Sequence, residues 1–223
     1  MRMSPPLSEH ELLERAADIA GKTLQYIANL QNISLPDRLT SAKGQVGEML
    51  EYFLGASAGT LPEADFLEIG VELKTIPVNR HGRPKESTFI CTVNLLPNQQ
   101  PDWATSTVKK KLSRVLWVPI EADASIPLPQ RRIGTAILWS PDQEQEKILR
   151  QDWEELTGMI HMGELDQITA RYGKYLQIRP KAMNARSLQT GIDAEGNISK
   201  TLPRGFYLRT VFTRQILGNH HAA

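Results

Sequence analysis

Asp65-Phe-Leu-Glu-Ile-Gly70-Val-Glu72-Leu-Lys74-Thr-Ile-Pro77-Val78 is the stretch that decides how this 223-residue chain is built. Side chains alternate faces along a strand. Glu72 and Lys74, two apart, therefore share one face, and Val71, Leu73 and Thr75 share the other. The pattern predicts two short β runs, Asp65–Ile69 and Val71–Val78, with Gly70 permitting a tight bend between them. Such a bend returns Asp65 beside Glu72 and gathers two carboxylates and one ammonium around one point. Close carboxylates repel, and one tends to hold a proton until a cation arrives. A hard cation such as Mg2+ relieves that repulsion and takes oxygen ligands. A lysine beside it can steady an attacking water or the charge growing on a phosphoryl oxygen. This is equipment for phosphodiester hydrolysis. The same Glu and Lys also fit a solvent-facing charge pair.

Outward from this stretch the chain reads as mixed α/β. On the N-terminal side, Ser8-x-x-Glu11 is a capping-box pattern that starts a helix near residue 8. A second helical stretch runs to about Leu30. Lys43–Leu54 reads as a helix with Val46, Leu50, Phe53 and Leu54 toward the core and Gly55 at its C-terminal cap. Glu51 lies at the fringe of that apolar face and either reaches solvent or points toward Asp65 and Glu72. On the C-terminal side, Ser87–Leu95, Val115–Ile120 and Thr135–Trp139 read as strands. Ser140-Pro141 is expected to cap an acidic helix through about Leu156, with Pro at its first position. Residues 159–172 are expected to be helical, and the rest to mix short strands and turns with a last helix near Thr210–Leu217. Helices around a run of adjacent strands argue a mixed sheet flanked by helices.

The 26 Lys and Arg nearly balance the 25 Asp and Glu, but the balance hides a split. Residues 171–214 hold nine basic side chains and two acidic ones, a net of +7, and the remainder carries −6. A basic segment in a neutral protein suits a polyanion-binding face; it equally describes a solvated surface. Arg179-Pro-Lys181 lies in it, either a structural turn or a pair of donors held stiffly by proline. Lys109-Lys-Lys111 is either a solvated run or a phosphate clamp. The single cysteine, Cys91, excludes an internal disulfide framework. Walker-type and dinucleotide glycine loops are absent, as are paired-cysteine and His-Glu-x-x-His zinc patterns. There is no apolar run suited to a secretory signal or a membrane span, so the expectation is a soluble cytoplasmic protein.

Asp65…Glu72-Leu-Lys74 resembles the active site of the PD-(D/E)xK nuclease superfamily. Longer wordings are more specific: Leu54-Gly-Ala-Ser-Ala-Gly59, Gly70-Val-Glu-Leu-Lys-Thr-Ile-Pro77, Lys111-Leu-Ser-Arg-Val-Leu-Trp117, Gln130-Arg-Arg-Ile-Gly134, Asp152-Trp-Glu-Glu-Leu156, Ile168-Thr-Ala-Arg171, Gln177-Ile-Arg-Pro-Lys181 and Thr201-Leu-Pro-Arg-Gly-Phe-Tyr-Leu208. Together they resemble the MutH family of DNA mismatch repair endonucleases, from about Lys43 to Phe212. The resemblance implies a restriction-endonuclease-like fold with two lobes around a DNA-binding cleft. Residues 1–223 would form one endonuclease domain, with a catalytic lobe at roughly 40–125 and a DNA-recognition part at roughly 165–215. It implies Mg2+-dependent nicking of the unmethylated strand at hemimethylated GATC sites by a monomer, activated by MutL and indirectly by MutS.

The resemblance also implies residue roles. Asp65 and Glu72 would hold the metal, helped by the main-chain carbonyl of Leu73. Lys74 would orient or activate the water, Glu51 would be a further active-site acid, and Lys111 a second lysine near the scissile phosphate. Arg179, Pro180 and Lys181 would read GATC in the major groove, and Tyr207 would feel the adenine methyl group. Lys43 and Gly44 would contact the minor groove, and Phe89 would lie near the bases. Gln45 and Glu48 depart from the family, which usually has Trp and an apolar residue there. Two rivals stay open: a GATC restriction enzyme cutting both strands, and a catalytically silent DNA-binding module.

Overall fold

Ser8 starts the first helix as expected: its side chain accepts from the Glu11 amide, while Glu11 reaches back to the Leu7 amide at 2.9 Å. The computed structural model describes residues 3–37, 44–59, 61, 63–96, 102–169, 171–181, 188–192 and 195–219. Their elements run α1 (Glu9–Ile19), α2 (Leu24–Gln31), α3 (Gln45–Leu54), β1 (Glu72–Val78), β2 (Thr88–Thr92), α4 (Thr107–Leu112), β3 (Val115–Glu121), β4 (Ile137–Trp139), α5 (Gln143–His161), β5 (Leu176–Pro180), β6 (Gln189–Ile192), β7 (Ile198–Thr201), β8 (Arg204–Leu208) and α6 (Thr210–Asn219). The mixed α/β expectation is met. No helix among the described residues is long and apolar enough to cross a membrane.

The described chain divides into two units. The first comprises residues 1–86, 113–140 and 214–223. Its sheet has the order β1-β3-β4, with β1 parallel to β3 and β4 antiparallel to it. β3 is buried along Val115–Ile120, which is why its sequence is a continuous apolar run rather than an alternation. Leu12, Ile19, Leu24, Ile27, Leu50, Leu54, Phe66 and Leu116 belong to one core that joins α1, α2 and α3 to the sheet. The buried Arg15 guanidinium donates to the carbonyls of Ser4 and Leu54, at 2.7 and 2.8 Å, and pairs with Glu11. Leu54 ends α3, so a cation sits where that helix exposes its carbonyls. Gly55 follows at φ +92°, and a Cβ there would lie 2.4 Å from the Ser4 carbonyl oxygen.

The second unit comprises residues 87–112 and 141–213. Its main sheet is antiparallel, in the order β2-β8-β5, and β6 and β7 form a separate hairpin. α5 buries Ile148, Leu149, Trp153 and Leu156. Trp153 packs on Trp103, ring centroids 5.8 Å apart, and Tyr175 stacks on Phe212.

Three expectations need correction. Asp65–Ile69 is not a strand: only Phe66 bridges to Val71, because residues 67–70 are taken up by the turn itself. The α5 cap is Asp142, not Ser140-Pro141. The Asp142 carboxylate accepts from the Gln145 amide and Gln145 returns the bond, whereas the Ser140 hydroxyl donates to the Ser113 carbonyl at 2.6 Å. Residues 159–172 are not one helix. α5 continues only to His161, Gly163 turns the chain at φ +75°, and a short 3-10 turn follows at Leu165–Gln167.

Candidate active site and nucleic-acid face

In the first unit the Gly70 turn, at φ +64°, brings Asp65 back to β1. Phe66 and Val71 exchange backbone hydrogen bonds at 2.9 and 3.3 Å, so Asp65 arrives opposite Glu72. The Asp65 carboxylate accepts from the Leu73 amide at 2.7 Å. The Glu72 amide, by contrast, donates to the Arg114 carbonyl on the β3 side. A strand residue presents its N–H and C=O to the same edge. The Leu73 carbonyl therefore faces the same edge as Asp65, the outer edge of β1 in the order β1-β3-β4.

Glu72 is 1% exposed, and its carboxylate accepts from the Lys74 ammonium at 2.5 Å. The Lys74 side chain is 16% exposed. A pair this deep is not a solvent-facing strand pair. Taking both charges from water is costly, and a surface placement of the same residues would avoid the cost.

Glu51 comes from α3. Val46, Met49, Leu50 and Leu54 of that helix are buried, so its apolar stripe faces the core and Glu51 stands at the border. Its carboxylate lies over Gly47, one turn back, where a Cβ would meet Oε1 at 3.7 Å. Burial pushes the Glu51 carboxyl up to about 7; the charge of Asp65 adds to this, Lys74 opposes it, and Glu72 and Glu48 add further. Glu51 is therefore half-buried and lies within the field of Asp65, Lys74 and Glu72. Glu48, read as a family departure, contributes to the same negative field. Gln45, the other departure, donates to the Ser34 carbonyl at 3.3 Å.

In the second unit the register sets Phe89 opposite Tyr207 and Arg179 opposite Gly205. A bulge between Phe89 and Cys91 turns Ile90 and Cys91 inward and leaves Phe89 and Thr92 on the outer face. Phe89 and Tyr207 meet edge to face, centroids 5.3 Å apart. The Arg179 guanidinium lies 5.9 Å from the Tyr207 ring centroid and the Lys181 ammonium 4.5 Å from that of Phe89. Arg179 also donates to Ser87 Oγ at 2.8 Å, and Lys181 to Thr92 Oγ1 at 3.0 Å. Burial pushes the Tyr207 phenol up, and the Arg179 charge draws it part of the way back. Pro180 pairs with Arg204 and is exposed.

The structure thus collects Glu51, Asp65, Glu72, Leu73 and Lys74 in one unit, and Phe89, Arg179, Lys181 and Tyr207 in the other. Lys111 is half-buried on α4 of the second unit. Gly44 is exposed at the α3 N-cap, at φ +92°. Lys43 lies outside the described residues.

Sequence reasoning missed three supporting residues. Ser87 and Thr92 hold the two cations but sit about ninety positions away from them, and nothing local marks them. Asp152 did carry a signal, as an acid on the apolar stripe of α5. Its buried carboxylate accepts three backbone amides, from Lys174, Tyr175 and Leu176, at 2.8, 2.6 and 2.8 Å. That clamp fixes where β5 begins, and β5 carries Arg179.

The chain is similar to known proteins along almost its whole length. A family model described as the DNA mismatch repair enzyme MutH matches residues 54–152. The DNA mismatch repair protein MutH of Vibrio parahaemolyticus is 53% identical over 97% of this chain and 96% of the relative. The proteins of that name from Shigella flexneri and Escherichia coli O139:H28 are each 52% identical over 98% of this chain and 95% of the relative. The chain belongs to the MutH family of DNA mismatch repair endonucleases.

Proposed function

We propose that the chain nicks the unmethylated strand of double-stranded DNA at hemimethylated GATC sites, by Mg2+-dependent hydrolysis of one phosphodiester bond. The observation that carries this reading is the gathering of Glu51, Asp65 and Glu72 with Lys74 around the outer edge of β1. The donor set is all oxygen and carries three acids to one lysine; burial, with the Asp65 charge adding to it, pushes the Glu51 carboxyl up. Such a set fits a hard divalent cation. Among the described residues no three acidic, histidine or cysteine side chains already stand as a closed metal cluster. Lys74 occupies Glu72 and the Leu73 amide occupies Asp65.

Asp65, Glu72 and the Leu73 carbonyl would hold Mg2+. The bound cation would polarise the phosphoryl oxygens and make a water molecule more acidic. Lys74 Nζ, already fixed by Glu72, stabilises the charge that develops on the phosphoryl group as water adds. One P–O bond forms to the water oxygen as the ester P–O bond breaks. The water gives up a proton and the leaving oxygen gains one. A Glu51 carboxyl near neutrality can hold a proton at its oxygen within this site.

Arg179 and Lys181 offer the donors that guanine O6 and N7 accept in the major groove. Tyr207, a rigid ring, would meet the adenine N6 position, where one methyl group changes both shape and hydrogen bonding. Lys111, Lys43 and Gly44 would add backbone and minor-groove contacts. MutL would activate the enzyme, with MutS upstream, and the protein would work in the cytoplasm as a monomer.

Strand-resolved cleavage of a hemimethylated GATC duplex with Mg2+, with and without MutL, tests the proposal. The expected result is a single cut in the unmethylated strand, faster with MutL and abolished by EDTA. Cutting of both strands would identify a restriction-type enzyme. Binding without cutting would identify a silent module.

A further inference from the structure

Gly205 lies in the central strand of the β2-β8-β5 sheet, opposite both Thr92 and Arg179. Its φ is not among the positive values that glycines adopt elsewhere in the chain. Backbone conformation therefore does not require glycine here, and glycine within a strand weakens it. Space does require it. A Cβ at Gly205 would lie 2.8 and 3.1 Å from two Phe89 ring carbons and 3.0 Å from a Tyr207 ring carbon. No backbone atom is among these three nearest contacts. Both rings rest on bare backbone.

The two cations depend on the same gap. β8 lies between β5 and β2, so Arg179 and Lys181 must cross it to reach Ser87 and Thr92. Each cation packs on one of the two rings on the way. The four side chains form one layer lying across β8, with Gly205 as its floor.

We infer that Gly205 is a positioning residue for discrimination of the GATC sequence. Its missing side chain lets Phe89 and Tyr207 lie low on β8, and so fixes where Arg179 and Lys181 present their donors. This rests on the reading of that face as the GATC-reading surface. A methyl group at position 205 lifts the rings and moves the donors.

The test is a double-mutant cycle. Gly205→Ala is measured on the wild-type and the Phe89→Leu backgrounds, since leucine withdraws two of the three ring atoms that the new methyl meets, the nearest among them. The readout is the ratio of nicking rates on GATC and on a duplex with one altered base pair, alongside affinity for a duplex lacking GATC. Circular dichroism reports the folded fraction. The expected result is a loss of roughly tenfold in the GATC ratio with Phe89 present. On the Phe89→Leu background the alanine should change the ratio far less, and affinity for non-specific DNA should hold on both. An equal loss on both backgrounds overturns the inference, as does an unchanged ratio with Phe89 present. Loss of folding on either background also overturns it, because position 205 would then serve the fold and not the reading surface. Arg179→Ala, run in parallel, separates the two levels. If it leaves the GATC ratio intact, the face does not read GATC at all. If it collapses the ratio and Gly205→Ala does not, only the role of Gly205 fails.

Discussion

The carboxylate edge of the first unit and the aromatic face of the second are built on opposite electrostatic principles. Around β1, three acids share a single lysine, and burial, with the Asp65 charge adding to it, raises the Glu51 carboxyl. On the β2-β8-β5 face, both cations are already seated on rings and hydroxyls, and no carboxylate faces them in the described contacts. The first arrangement waits for positive charge, as a site for a divalent cation must. The second is preorganised donors awaiting an acceptor-rich surface, which lowers the entropy cost of binding. On the proposed roles, the contrast predicts that chemistry and reading can be perturbed separately in this chain.

The largest effect that can sharpen this contrast is loss of a carboxylate on the β1 edge. Asp65→Asn keeps an oxygen for the Leu73 amide, so the turn should survive. The loss of charge should lower nicking by at least about a hundredfold, since even outer-shell changes at metal sites cost roughly 10–100-fold. GATC binding should remain, and a gel-shift beside a nicking assay checks both. On the other side, Asp152→Asn strikes the support of the reading face. An amide cannot accept all three backbone donors that the carboxylate now satisfies. The expected cost is about 3 kcal/mol, a fall in Tm of roughly 6–12 °C. An unchanged melting curve would mean that the clamp does not set β5.

Arg179→Ala should lower GATC preference by roughly 5- to 150-fold, the range of one base contact. It should leave the Mg2+ dependence of the remaining activity alone. A shifted Mg2+ requirement would break the separation of the two regions.

The smallest effect concerns pH. A carboxyl raised from the ordinary 4.5 to about 7 binds its proton more tightly folded than unfolded. Its contribution to stability is full below about 4.5 and is lost as pH rises through about 7. Glu51→Gln keeps the neutral shape and removes the loss. In metal-free buffer it should raise Tm by a few degrees at about pH 8 and by almost nothing at about pH 4.5. A gain of equal size at both values would show that the folded chain does not raise the Glu51 carboxyl.

The β1 edge was largely legible in the sequence, because its information is local. Gly70 and a two-residue spacing place Glu72 beside Lys74 and bring Asp65 back, and the α3 stripe leaves Glu51 at its border. Even there, Asp65–Ile69 reads as a strand, since turn residues such as Leu67 and Ile69 are as apolar as strand residues. The reading face was far less legible. Its register joins Phe89 to Tyr207 and Ser87 to Arg179 across about ninety residues or more, and a bulge at Ile90 and Cys91 shifts the alternation midway. No pattern within one strand shows that Gly205 carries two rings. The family resemblance supplied Phe89, Arg179, Lys181 and Tyr207 by name, whereas the structure supplies Ser87 and Gly205 and the physical reason they stand together.

The most direct measurement is single-turnover nicking of a hemimethylated GATC duplex by Lys74→Ala, with affinity for the same duplex measured in parallel. Lys74 belongs to the buried pair at the centre of the β1 edge and is remote in sequence from the reading face. The predicted result is a fall in rate of about 10²–10³, the usual cost of one charge-stabilising donor, with DNA affinity largely retained. Nicking at close to the wild-type rate would contradict the assignment of chemistry to the first unit.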